Sequence, residues 1–162
     1  MITLTSLDLD AQLASAGPAA ASFAALWQAL WRQERLPSEL LELCRLQLAR
    51  LHQDAVEIAA VNPNLPRPLA LYRRESVLAG RAHADPDFSA AEKAVFEFAE
   101  VYALDAQSIT DELADRVKEH FGEPGLVLLI EALGCIDGRI RTARCLRDLA
   151  AAAPGRESAH GH

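Results

Sequence analysis

No apolar run in this chain approaches the ~20 residues that a membrane-spanning helix requires, so no association with a bilayer interior is expected. Glycine and proline are scarce, with eight of each in 162 residues, and no segment reads convincingly as a strand. Ala and Leu dominate instead, a composition that suits helices packed on helices. Cysteine is too sparse for a disulfide framework, because Cys44, Cys135 and Cys145 form an odd set with no close pair. On one straight helix Cys135 and Cys145 would stand about 15 Å apart, beyond the reach of any disulfide. All three are expected to be buried apolar groups. Excess positive charge is also missing. A formal charge of −7 gives neither nucleic acid nor an anionic membrane surface an electrostatic reason to bind. Residues 1–8 carry neither the basic start nor the apolar stretch of a secretory signal, and a cytoplasmic location is expected.

What is present is helical punctuation. The length fits one compact all-α domain over residues 1–153, followed by a small, polar tail at 154–162 that is expected to be disordered and holds His160 and His162. A short weak helix is expected from about Thr5 to Ser15, stopped by Gly17 and Pro18. A stronger one runs from Pro18 to about Arg35, and Phe23, Trp27 and Trp31 recur on it every four residues. Such a stripe serves as core, as a subunit interface or as the wall of a ligand pocket, and Trp27 and Trp31 are candidate substrate contacts. Pro37 and Ser38 open a helix that could continue to Val61, before the Pro-rich loop at residues 62–68. Helical pattern resumes from Leu69 to about Ala82. Ser89 and Glu92 form a capping box for a helix reaching about Leu104, and Thr110 caps another that Gly122 stops. A long apolar helix follows from Pro124 to about Ala153, weakened locally by Gly134 and Gly138. The sum is a bundle of about six to seven helices.

Several local patterns, taken in order, resemble one family. They are Glu42-Leu43-Cys44-Arg45-Leu46-Gln47-Leu48-Ala49, then Phe88-Ser89-Ala90-Ala91-Glu92-Lys93-Ala94, then Ile109-Thr110-Asp111-Glu112, His120-Phe121-Gly122, and Ile136-Asp137 with Arg141. Across residues 26–146 the chain resembles the alkylhydroperoxidase D-like superfamily, which includes carboxymuconolactone decarboxylases. The resemblance implies an alkylhydroperoxidase D-like helical bundle that assembles as a homo-oligomer, a dimer or larger. Redox members carry a Glu, a Cys twelve residues later, a second Cys three further on and a His four beyond that. Counting from Glu42 lands on Asp54, Glu57 and Val61. The Glu is kept, and both Cys positions and the His are lost. A thiol pair attacks peroxide as thiolate and closes to a disulfide, a cycle that carboxylates cannot run.

Two readings of Glu42, Asp54 and Glu57 stand side by side. On an unbroken helix Glu42 and Asp54 would lie about 18 Å apart, and the acids would form a solvated face paired with Arg45 and Arg50. If the chain bends near residues 50–53, the three carboxylates converge with His52 nearby, and one, raised by its like-charged neighbours, could act as general acid or base on a small organic acid or lactone. In the family a Gly before the first Cys helps break the helix, and here that position is Gln53. Arg141 matches a family Arg and is a candidate to hold a substrate carboxylate, although Arg139 and Arg141 could equally tie helices together through Asp137 and Glu131. The carboxylates could supply oxygen ligands to a divalent metal, but no neighbouring His pair supports a zinc-type site, and neither a metal nor another cofactor is expected. Three functional classes follow: a repurposed or degenerate enzyme of lyase or decarboxylase type, a non-enzymatic module binding a small ligand or a partner, and redox activity through Cys44, Cys135 and Cys145.

Overall fold

The computed structural model describes residues 3–153, and the expectation for the 154–162 tail, with His160 and His162, lies outside the described residues. Seven helices follow in order: α1 (Asp10–Ser15), α2 (Pro18–Arg32), α3 (Ser38–Leu51), α4 (Ala55–Ala59), α5 (Leu71–Leu78), α6 (Ala90–Asp105) and α7 (Asp111–Ala151). Among the described residues there is no strand, and no helix is long and apolar enough to cross a membrane. The all-α bundle expected from composition is therefore the observed architecture.

Helix α3 is the axis of the molecule. Every residue from Leu40 to Ala49 is buried, because α4, α5, α6 and α7 all pack around it. A helix enclosed on all sides leaves no face for water, so its polar residues must find partners inside the protein. Gln47 does so through its amide nitrogen, which donates to the carbonyl of Phe96 on α6 at 2.9 Å, while its Oε1 has no donor among the described residues. Trp27 and Trp31 join the same core from α2, edge to face with ring centroids 5.2 Å apart.

Local signals fix the helix starts. Ser89 and Glu92 close the capping box at the head of α6, and the Thr110 hydroxyl accepts from the Leu113 amide at the head of α7. Gly122 interrupts α7 at φ 70°, ψ 174°, a combination open essentially to glycine alone, and Pro124 restarts the helix behind it. The N-terminal segment departs from expectation. Only Asp10–Ser15 is helical, while the chain before it runs as a strap whose Leu4 and Leu9 are buried against Ala143 of α7.

Candidate functional site

The helix that could have run to Val61 breaks at residues 52–54. Gln53 adopts φ 53°, its amide donates to the Arg50 carbonyl at 2.9 Å, and the Asp54 amide donates to the Ala49 carbonyl at 3.0 Å. This pair of bonds around one left-handed residue is a Schellman termination, with glutamine where glycine is usual. Helix α5 ends in the same motif around Gly80 at φ 71°, with bonds from Gly80 to Val77 and from Arg81 to Ser76. Asp54 then caps α4 by accepting from the Glu57 amide at 3.1 Å.

Three contacts from α7 hold the break in place. His52 Nε2 meets Asp137 Oδ1 at 2.5 Å, Arg144 donates to the His52 carbonyl at 2.8 Å, and Arg147 pairs with Asp54. Arg147 also donates to the Leu4 carbonyl and so ties down the strap.

The break turns α4 back along α3 and brings Glu57 to the guanidinium of Arg45. Glu42, Asp54 and Glu57 are 2%, 4% and 0% exposed, so the solvated acidic face paired with Arg45 and Arg50 does not exist. Among the described residues Arg50 makes no ion pair. Arg45, itself 0% exposed, uses its whole donor fork. Its Nε and Nη2 take Glu42 bidentately at 2.8 and 2.7 Å. Its Nη1 takes the Glu57 carboxylate at 2.7 Å and the Glu57 carbonyl at 3.0 Å, and Nη2 reaches the Ala60 carbonyl at 3.3 Å. Burial alone would lower the Arg45 pKa, but hydrogen bonding and charge from Glu42, then from Glu57, outweigh it and hold the guanidinium above its usual range.

One Arg between two carboxylates leaves a formal negative charge, and neutral donors answer it. Asn62 Nδ2 donates to Glu42 Oε2 at 2.8 Å from the Pro-rich loop. The Ser6 amide donates to Glu57 Oε2 at 2.8 Å, and the Ser6 hydroxyl donates to Glu57 Oε1. The Ser6 carbonyl in turn accepts from Arg139 Nε at 2.6 Å, and Arg139 Nη2 pairs with Asp10 at 2.9 Å. A continuous polar chain thus runs from Asn62 through Glu42, Arg45, Glu57, Ser6 and Arg139 to Asp10. Ser6, Asn62 and Arg147 carried no sequence signal for this role. Their partners lie 51, 20 and 93 residues away.

The three candidate acids split into two groups. Glu42 and Glu57 share Arg45, whereas Asp54 faces Arg147. Arg141 stands apart from both, with a side chain 61% exposed that pairs with Asp137 at 2.7 Å. Trp27 and Trp31 are buried within their own chain, which removes them as a subunit interface, and their indole N–H groups have no acceptor among the described residues. Arg139 stacks over the Trp27 ring at 4.3 Å.

The cysteines do not form a reactive set. All three are free thiols; Cys44 and Cys135 are buried, while Cys145 is exposed, contrary to the expectation that all three lie in the core. Burial pushes the Cys44 thiol up to about 12 and raises Cys135 as well, which opposes the thiolate that attack on peroxide requires. Among the described residues no group of three or more His, Cys, Asp or Glu side chains is placed to hold a metal ion.

Open space lies on the outer side of this network. A groove of about 610 Å³ separates the strap from α4, and its walls are mainly Leu7, Val56, Ala59, Val61 and Pro63, with Thr3, Thr5 and Asp8 as polar groups. Comparison of the chain with protein-family models, curated proteins and solved structures finds no match, so the meaning of the site rests on its own geometry.

Proposed function

We propose that this protein is an alkylhydroperoxidase D-like bundle without the redox cysteines, in which the acids at the former thiol positions are architecture and the function is non-enzymatic binding of a small organic ligand. The observation that carries the reading is the saturation of Arg45. Both carboxylates that converge on it are out of solvent and bonded on both oxygens, so neither has a free edge to offer a substrate. A general acid or base must come within hydrogen-bond reach of the proton it moves, and these do not meet solvent. In favour of the fold assignment, the break after α3 sets positions 42 and 57, two of the four positions of a Glu-Cys-Cys-His pocket, around one centre, while Asp54 turns to Arg147 and Val61 is exposed.

The groove beside α4 is the natural ligand site. Its volume lies within the range of small-molecule sites, and its apolar walls with a few hydroxyls match their usual lining. The proposal retains a dimer or larger assembly and moves its surface from the buried tryptophans to exposed apolar side chains of α7, Val127, Ile130 and Leu149.

The test is a pair of measurements on one preparation. A neutral hydrophobic dye, 1-aminoanthracene, is titrated into wild type and Ala59→Trp, and lactones, unsaturated diacids and peroxides are screened for turnover with wild type and Glu42→Gln. Saturable dye binding lost in Ala59→Trp, with no turnover, is the expected result. Turnover that falls in Glu42→Gln while its circular dichroism is unchanged would return the site to catalysis.

A further inference from the structure

Behind its kink α7 runs unbroken to Ala151, and one side of it packs inward through Leu129, Leu133, Ile136 and Ile140. The opposite side is exposed and carries Val127, Glu131, Gly134, Gly138, Arg141 and Cys145, positions that lie above one another along the helix. Val127 is 60% exposed, and Leu149, one turn beyond Cys145, is 68% exposed. Phe23 of α2, itself half exposed, borders the two glycines and widens the apolar area. An outward helix face usually carries charged and polar residues, because water is its neighbour. This one carries two charges of opposite sign. Glu131 makes no ion pair among the described residues, and Arg141 engages only its Nε, with Asp137, so both of its terminal nitrogens lack an acceptor there. Ten residues of helix hold Glu131 and Arg141 about 15 Å apart, beyond reach within one chain.

We infer that this face binds a second copy of the chain, α7 against α7 and antiparallel, about a two-fold axis level with Ile136. The inference rests on the homo-oligomer proposed above and specifies its geometry. Positions equally far from the axis then stand opposite one another, Glu131 against Arg141 of the partner subunit and Val127 against Cys145 of the partner subunit. Symmetry makes each contact twice, so both solitary charges are answered. A parallel pair would set Glu131 against Glu131 and Arg141 against Arg141, an arrangement that like charge opposes. At the axis Gly134 meets Gly138 of the partner subunit. A Cβ built on Gly138 finds no atom within 4 Å, so a second backbone has room to approach closely there. One helix face is a small interface, so the dimer is of micromolar strength and exchanges with monomer. Cys145 therefore stays open to small alkylating reagents, at a rate that falls as protein concentration rises.

Sedimentation at micromolar concentration should give twice the chain mass for wild type. Glu131→Arg, which sets Arg against Arg, should weaken association about tenfold or more, and adding Arg141→Glu should restore it. Both positions are exposed, so the melting temperature of the monomer should hold in each variant. Under mild oxidation with diamide, Val127→Cys should give a covalent dimer joined from the introduced thiol to Cys145, and adding Cys145→Ser should abolish it. Wild type should give none, since its two Cys145 thiols would lie about 27 Å apart across the axis. A link between two introduced thiols, or between two Cys145 thiols, would overturn the antiparallel arrangement. A dimer indifferent to Glu131→Arg and uncrosslinked in Val127→Cys would overturn this face while leaving the homo-oligomer in place, whereas a monomeric wild type would overturn both. Dye binding in the α4 groove should persist in every variant, so the ligand reading stands or falls separately.

Discussion

Arg45 and Glu57, twelve positions apart and on different helices, meet at 2.7 Å with neither side chain exposed to solvent. The contact exists because the chain reverses at Gln53 and because α3 has no wet face on which Arg45 could lie. A buried pair of this kind contributes little net stability compared with apolar residues of the same shape, but it is costly to half-dismantle. What it does here is specify geometry: five donors on one side chain fix the positions of α3, α4 and the carbonyl of Ala60.

Removal of Arg45 is therefore the harshest single change. Arg45→Met should cost about 3–5 kcal/mol in urea unfolding, because Glu42 and Glu57 are left as buried charges with no cation between them. Glu57→Gln should cost less, since one glutamine oxygen can still accept from Arg45 and the Ser6 hydroxyl, and only the bond from the Ser6 amide is lost. Equal losses for the two variants would mean that the charge pairing is unimportant.

The turn at Gln53 offers a test of the opposite sign. A left-handed, non-glycine residue is strained by roughly 1 kcal/mol, partly offset by the chain entropy that glycine adds to the unfolded state. Gln53→Gly should match or exceed wild type in stability, whereas Gln53→Val, β-branched at positive φ, should lose about 1–2 kcal/mol. Denaturation midpoints measured side by side decide it.

Gly122 should tolerate nothing larger. Its φ of 70° with ψ of 174° is strained for any side chain, although a Cβ there would find only Pro124 Cδ, at 3.6 Å. Gly122→Ala should cost about 1–3 kcal/mol from backbone conformation alone, which a thermal melt would register.

Thiol chemistry separates the three cysteines. In the native protein, iodoacetamide at pH 8 should modify exposed Cys145 and spare Cys44 and Cys135, as intact mass would show. The sign of the pH effect follows from the Cys44 proton. Above pH 9 the unfolded chain releases it, while the fold keeps it up to about 12. Stability contributed by the neutral thiol is thus complete below pH 9 and declines as pH climbs from 9 toward 12. In Cys44→Ala that alkaline slope should flatten by up to about 1.4 kcal/mol per pH unit.

The helix signals that read correctly are those closed within one turn of chain. Ser89 with Glu92 and Thr110 with Leu113 span three residues each, so composition and spacing suffice to define them. The Pro-rich loop was equally legible, but the inward turn of Asn62 onto Glu42 was not. For α3 the sequence pointed the wrong way. Glu42 and Arg45, three residues apart, look like the wet face of an amphipathic helix, and only the packing of four other helices encloses them.

Taken alone, the order of residues determined an all-α protein, its main capped helix starts and the presence of acids at positions 42, 54 and 57, because propensity and capping act over three or four residues. Glu42 meets Arg45 only three residues on, but whether Glu57 and Asp54 face water, a substrate or a guanidinium depended on Arg45, Ser6 and Arg147, 12, 51 and 93 residues away. Tertiary structure decided it, since a charge removed from water persists only where the fold delivers its partners.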